Sequence, residues 1–151
     1  MIVLRAVYQG VADHFPFRWS EWVMLWPSFG MWIVLQVDPN MFATSPSFHA
    51  LASWGNEGQW AIVLAACGVC RLTALTINGT FRGFAYSPHI RAAASIIGAL
   101  VWSQVSLGFL LSYFGGGALS GAIIWSTLVL VEVVNIHRSW ADISRHRQGH
   151  G

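Results

Sequence analysis

The sequence contains no lysine, and charged residues of any kind are scarce. Only 9% of its 151 residues are charged, whereas about 25% is usual in soluble domains. Eight arginines and six acidic residues leave a formal net charge of +2, too little positive charge for a nucleic-acid-binding surface. The composition therefore argues against a large solvated surface and against a nucleic-acid partner.

Hydrophobic residues, in contrast, make up 55% of the chain. They concentrate in four runs of roughly the 20 residues that a membrane-spanning helix needs. Each run is predicted to be helical, because hydrocarbon offers no partner to unpaired backbone groups. We therefore expect an all-α, polytopic membrane protein that forms one four-helix transmembrane domain over residues 1–151, with the lipid bilayer as its surroundings. The predicted spans are residues 19–37, 60–77, 92–114 and 118–136.

The arginines fall in alternate connections between these spans. Two precede the first span, two lie between the second and third, and three follow the fourth, whereas residues 38–59 and 115–117 contain none. The positive-inside rule then places both termini in the cytoplasm, with residues 139–151 as a cytoplasmic tail. These arginines are Arg5, Arg18, Arg82, Arg91, Arg138, Arg145 and Arg147.

Residues 1–17, before the first span, have an amphipathic pattern. Arg5, Gln9 and Asp13 recur every four residues and so share one face of a helix. The opposite face carries valines and a phenylalanine. This segment is predicted to be a short interfacial helix that lies in the membrane surface.

The remaining arginine, Arg71, lies inside the second predicted span. At helical rise, it is about 10 Å from the cytoplasmic end of that span, and Glu132 is about 9 Å from the end of the fourth. A lone charge at such depth costs about 2.5–3.5 kcal/mol on insertion scales, so the two are predicted to form an intramembrane ion pair. Gln104 and Asn135 are the predicted associated polar groups. The pair either fixes helix register or forms a polar site for a proton or ion step.

Small residues recur at spacings that are typical of closely packed membrane helices. Gly117 and Gly121 form a GxxxG pair at the start of the fourth span. Ala94 and Gly98 form a small-xxx-small pair in the third. Both pairs predict close helix approach, and the glycines at 115–117 predict a tight hairpin between the third and fourth spans.

Prolines mark expected irregularities and helix starts. Pro27 is predicted to kink the first span. Ser45-Pro46 should begin a short outer helix that ends at Trp54, and Ser87-Pro88 should begin the third span. In both cases the serine is the expected N-cap and the proline the first helical residue.

Cys67-Gly-Val-Cys70 has the spacing of a redox dithiol. Four spans with this motif in the second, and an arginine just after it, resemble the quinone-coupled disulfide oxidoreductases of the DsbB class. Those enzymes also need a second cysteine pair in an outer loop, which this sequence lacks. Both cysteines lie well inside the predicted helix, far from the free N–H groups that stabilise a thiolate. They are therefore expected to be small apolar residues, with the oxidoreductase as an alternative.

Two histidines, His89 and His137, lie at the predicted cytoplasmic side of the third and fourth spans. They are the candidates for a metal or bis-histidine haem site. Their positions follow no metal-ligand spacing, so no cofactor or metal is predicted. Quinone and haem are the alternatives.

Short motifs between residues 20 and 140 point to one group of proteins. They are Arg71-Leu72, Ile77-Asn78-Gly79, Ser87-Pro88-His89-Ile90-Arg91, Trp102, Glu132, Asn135 and Arg138. In these motifs the chain resembles small four-span membrane proteins encoded by tailed bacteriophages and prophages. The resemblance implies a bacterial inner membrane and a phage gene, and it carries no known activity.

The sequence thus predicts a non-enzymatic membrane protein that acts by helix association, with itself or with a larger complex. A holin-like lysis factor or an exclusion factor suits its small size and its small-residue helix faces. An accessory subunit of a membrane complex is the first alternative, because the aromatic residues are too numerous for one small bundle to bury. The thiol-disulfide oxidoreductase is the second.

Overall fold

The computed structural model of the chain describes residues 15–80 and 86–148, and no strand occurs in these two ranges. The predicted interfacial helix lies almost entirely in residues 1–14, outside the described residues, as do the loop at 81–85 with Arg82 and the last three residues. Residues 15–23 form helix α1. The elements that follow are α2 (Leu25–Val37), α3 (Met41–Thr44), a 3₁₀ turn (Pro46–Phe48), α4 (His49–Trp54), α5 (Glu57–Thr80), α6 (Ser87–Tyr113) and α7 (Leu119–Gln148).

Within residues 15–80 and 86–148, three helices are long and apolar enough to cross a membrane. The prediction of an all-helical membrane protein is confirmed to that extent. The membrane-length stretches are Glu57–Asn78 in α5, Ser87–Tyr113 in α6 and Leu119–Arg145 in α7.

The first predicted span, residues 19–37, is helical but divided into α1 and α2 at Met24. The division lies one turn before Pro27. A proline ring crowds the carbonyl four residues earlier, here that of Val23, and proline donates no backbone hydrogen bond. The predicted irregularity is therefore present, displaced to the turn that precedes the proline.

One expectation about a helix end needs correction. Ser87 is the first residue of α6, and Tyr86 is the N-cap. The Ser87 hydroxyl instead donates a hydrogen bond to Oδ1 of Asn78, at 2.6 Å, which joins the end of α5 to the start of α6. Pro88 occupies the first turn, as expected.

Residues 139–151 are predicted as a cytoplasmic tail, and the described part of that segment is helical. Helix α7 continues without a break to Gln148. Its polar extension packs against the rest of the chain, because Ser139 is fully buried and Asp142 binds an arginine of α6. These contacts carry the helix beyond the apolar run that the sequence pattern detects.

The tight hairpin predicted between α6 and α7 is present. Gly116 has a φ of 94°, a left-handed conformation that glycine adopts without steric cost. Gly121 lies against the ring of Phe109, where an added Cβ would come within 2.6 Å of Cε1. An added Cβ at Gly117 would come within 2.9 Å of the Ser112 carbonyl oxygen. The GxxxG pair therefore permits the close approach of α6 and α7 at this end.

Helix α6 lies at the centre of the bundle. It packs against α7 along much of its length, and α5 packs against both α2 and α6. Trp102 is fully buried and stacks on Trp125 of α7, with ring centroids 5.6 Å apart. The short α4 covers the far end of α6, where Leu51 contacts Gly108. This core holds the charged residues described next in fixed positions.

Candidate functional site

Arg71 and Glu132 lie next to each other in the interior of the bundle. Arg71 extends from the middle of α5, and its Nη2 lies 2.5 Å from Oε1 of Glu132 on α7. Their side chains are 2% and 0% exposed. The structure therefore brings together the two charges that depth alone had matched. Each neutralises the other in the buried interior of the bundle, where a soluble substrate has no access to either side chain.

The small-residue pair of α6 has a specific role around this ion pair. The Ala94 carbonyl accepts a hydrogen bond from Nη2 of Arg71 at 3.4 Å. A Cβ added to Gly98 would come within 2.8 Å of the Glu132 carboxyl carbon and within 3.0 Å of Arg71 Nη2. Gly98 thus leaves the space that the ion pair fills, in addition to permitting helix approach.

A line of polar side chains leads away from Glu132 along α7. The Asn135 side-chain amide donates to Oε2 of Glu132 at 3.4 Å and accepts a hydrogen bond from the Ser20 hydroxyl at 2.7 Å. Nη1 of Arg138 in turn donates to the Ser20 hydroxyl at 3.2 Å. Ser20, on α1, was missed by the sequence analysis, because a lone serine in an apolar run carries no pairing signal.

Gln104 does not belong to this network, contrary to prediction. Its side chain is exposed, and it lines a separate cleft of about 350 Å³ with Gln59 and Trp60 of α5. Successive helical residues are turned by about 100°, so Gln104 lies on a different face of α6 from Gly98. Matching of depth alone could not detect that difference in direction.

A second buried charge cluster centres on Arg91, at the start of α6. Its side chain is 2% exposed. Its Nε donates to Oε2 of Glu21 at 2.9 Å, its Nη2 donates to Oε1 of the same carboxylate, and its Nη1 donates to Oδ2 of Asp142 at 2.9 Å. The sequence analysis treated Arg91 only as a marker of topology. The signal it left unused was a pair of carboxylates, one on each flanking helix, near the same predicted membrane face.

Around Asp142, the second cluster opens into a cleft of about 370 Å³. The Asp142 carboxylate lies 3.8 Å from Nη2 of Arg18 and 3.7 Å from Nη1 of Arg145. Burial and the neighbouring Arg91 lower the pKa of the Arg18 guanidinium, and Glu21 and Asp142 oppose that shift. The lining residues, hereafter the arginine cleft, are Phe17, Arg18, Arg91, Arg138, Ala141, Asp142 and Arg145.

The two thiols occupy different environments in the middle of α5. Cys67 is buried and Cys70 is exposed, and both are free. Neither lies in the first turn of the helix, where unpaired N–H groups would stabilise a thiolate. The helix N-terminus therefore does not activate either thiol.

The histidines considered for a metal or haem site, His89 and His137, are both exposed. The ring of His89 contacts that of Tyr86, with centroids 6.1 Å apart. Within residues 15–80 and 86–148, no group of three histidine, cysteine or acidic side chains is placed to hold a metal ion.

Comparison of the chain with known protein families, with characterised proteins and with solved structures finds no match. The functional argument therefore rests on the chain's own geometry.

Proposed function

We propose that this chain is a non-enzymatic protein of the bacterial inner membrane, encoded by a phage, that acts by helix association in the bilayer. It is a four-span protein in this proposal, with residues 19–37 as the additional span and both termini in the cytoplasm. Two contacts support the additional span, since Ser20 bonds to Asn135 and Glu21 pairs with Arg91, which align α1 with α6 and α7. A holin-like or exclusion role fits such a protein.

The observation that carries this proposal is the unequal burial of the long helices. In their most apolar stretches, 39% of α5 and of α6 is buried inside the chain, against 17% of α7. Glu132 of α7 faces inward, and the outward surface of this helix includes Ile123, Ile124 and Leu130, all more than half exposed. In a bilayer, this surface meets lipid or another helix. A second copy of the chain is the partner that we propose.

Crosslinking between cysteines on α7 tests this association. In a background with Cys67 and Cys70 replaced by alanine, Leu130→Cys should yield a disulfide-linked dimer in oxidised membranes. The matched control is Ile62→Cys on α5, which is 71% exposed but lies on a helix that packs within the chain. Equal crosslinking of both variants, or none of either, would refute self-association through α7.

The holin-like role has a separate readout. Expression in bacteria should collapse the membrane potential and stop growth, because a lysis factor permeabilises the membrane after it assembles. Normal growth at high expression would remove that role while leaving self-association open.

The topology has its own test. A cysteine introduced at Asn56 should react with a membrane-impermeant thiol reagent in intact cells, and one introduced at Arg82 should not. The reversed pattern would overturn the orientation with both termini in the cytoplasm.

An accessory-subunit role is the second candidate, and exposed aromatic side chains favour it. Phe17, Trp26 and Phe114 are 79%, 82% and 83% exposed. Large aromatic side chains are enriched where protein partners meet. Purification in mild detergent followed by mass spectrometry separates the candidates, since a reproducible partner of different sequence supports the subunit and its absence supports self-association.

A further inference from the structure

The arginine cleft carries an excess of positive charge that the protein itself does not neutralise. Its four guanidinium groups face two carboxylates, Asp142 in the cleft and Glu21 behind Arg91, which leaves a formal charge of +2. Asp142 is already shared by three of the arginines. An anion is the chemistry that such a cleft accepts, and guanidinium groups suit phosphate because they donate paired hydrogen bonds.

Two of the arginines retain unused donors. Nη1 of Arg18 is buried and has no hydrogen-bond partner among the described residues. Arg138 bonds only to the Ser20 hydroxyl and has no carboxylate partner in the described part of the chain. A buried donor without a partner costs free energy, and a bound phosphate oxygen would remove that cost.

An apolar groove of about 290 Å³ begins where the arginine cleft ends, and the two share Arg138. The groove runs between α1 and α7, lined by Val23, Val131 and Val134 among others. On α7 it reaches from Arg138 to Thr127, about 16 Å at helical rise. That is close to half of a hydrocarbon core about 30 Å thick, the depth of one leaflet.

Two tryptophans beside the cleft indicate its position relative to the membrane surface. Trp19 and Trp140 are 54% and 53% exposed at the same end of the bundle. Tryptophan is enriched at the level of lipid headgroups. The polar cleft therefore lies at headgroup level, and the groove extends from it toward the bilayer centre.

The geometry points to a binding site for one anionic phospholipid, with its headgroup phosphate in the arginine cleft and an acyl chain in the groove between α1 and α7. Charge complementarity identifies the phosphate. The groove, which shares Arg138 with the cleft, favours a lipid over a soluble phosphate. The site rests on the proposed position of the chain in a bilayer, and Leu130 lines this groove as well as the exposed surface of α7.

The full chain in dodecyl maltoside micelles provides the test, with native mass spectrometry and thermal unfolding as readouts. The probes are phosphatidylglycerol, phosphatidylcholine with the same acyl chains, and inorganic phosphate. Phosphatidylglycerol should bind about tenfold more tightly than phosphatidylcholine, because phosphatidylcholine has the same phosphate but adds a choline cation that the positively charged cleft repels. Equal binding of the two lipids would overturn the proposal. Inorganic phosphate that stabilises the protein as well as phosphatidylglycerol does would assign the cleft to a soluble anion instead.

Variants locate the site. Arg138→Gln with Arg145→Gln should weaken phosphatidylglycerol binding at least tenfold. The control for charge is Asn40→Asp at the opposite end of the bundle, which lowers the net charge by one, as Arg145→Gln alone does, and should have no effect. If the double variant does not fold, Arg145→Gln decides alone, since that side chain is 80% exposed and its replacement leaves the fold intact. Unchanged binding in the folded variants would refute the cleft as the headgroup site.

Neighbouring valines on α7 test the groove. Val133 and Val134 are 52% and 47% exposed. Val134 lines the groove, and Val133 does not. Val134→Trp should therefore displace the acyl chain and reduce phosphatidylglycerol binding severalfold, while Val133→Trp should leave it unchanged. Equal effects of the two substitutions would overturn the assignment of the acyl chain.

Discussion

Two arginines in the described part of the chain, Arg71 and Arg91, are both 2% exposed, yet their surroundings differ. Arg71 meets one carboxylate and one backbone carbonyl in an enclosed, neutral pair. Arg91 meets two carboxylates, and one of these, Asp142, is 29% exposed at the wall of a cleft with further arginines. The enclosed pair is neutral and closed to solvent. The open cluster carries excess positive charge and can be reached by a ligand.

This difference separates two uses of charge in a membrane protein. An enclosed ion pair specifies how helices are aligned, because any other register strands a charge in hydrocarbon. An open cluster with excess charge can bind a ligand of opposite sign. We therefore assign helix alignment to Arg71 and Glu132, and anion binding to the arginines around Asp142.

Breaking the enclosed pair should produce the largest effect. Arg71→Ala or Glu132→Ala leaves a buried charge without its partner, which should cost about 3–5 kcal/mol of stability. Replacing both by leucine should recover most of that loss. Unfolding in mixed micelles, followed by tryptophan fluorescence, gives the coupling free energy, expected at about 1–3 kcal/mol. Additive single effects would show that the two side chains do not interact. A stable but inactive double variant would assign the pair to chemistry or transport.

A larger residue on α6 next to the same ion pair should cause an intermediate loss of stability. Gly98→Ala places a methyl group against the Glu132 carboxylate, and overpacking of this kind costs about 1–3 kcal/mol. Gly30→Ala is the matched control, because an added Cβ there meets nothing within 4 Å. The control should be neutral or slightly stabilising, as alanine favours helix. Similar unfolding curves for the two variants would contradict the tight contact between Gly98 and the ion pair.

Substitution of Cys67 and Cys70 tests whether the region around the enclosed ion pair performs redox chemistry. Cys67 lies one helical turn before Arg71, on the same side of α5. Cys67→Ala should cost about 1 kcal/mol, the loss of a small buried group. Cys70→Ala should cost less, since Cys70 is exposed. Full membrane function in the double variant supports packing as their role, and loss of function at normal expression would support the oxidoreductase.

The smallest effect on stability is expected at the rim of the open cluster. Arg145→Gln removes a side chain that is 80% exposed and 3.7 Å from Asp142. Exposed ion pairs contribute roughly 0–1 kcal/mol. The same unfolding assay should therefore give a curve close to that of the unmodified chain. If Arg145→Gln lowered the free energy of unfolding as much as Arg71→Ala, both charge clusters would contribute equally to stability. The distinction between the enclosed pair and the open cluster would then be wrong.

Much of this architecture could be predicted from local patterns. Long apolar runs predicted the three membrane-length helices, because hydrocarbon length and backbone hydrogen bonding act on each segment separately. The depth of a residue in the membrane can be estimated by counting residues from the end of its span. Arg71 and Glu132 could therefore be predicted to lie at similar depths. The direction of a side chain around its helix depends on neighbours, and Gln104 was therefore misplaced.

The sequence by itself determined the class of the protein, because scarcity of charge and long apolar runs leave a bilayer as the only solvent in which such helices are satisfied. Only the tertiary structure decided which charges are enclosed and which are open. Arg91, Glu21 and Asp142 come from three separated parts of the chain, and no local pattern links them. Their pairing follows from the packing of α1, α6 and α7. A buried charge between these helices is stable only where a neighbouring helix supplies its partner.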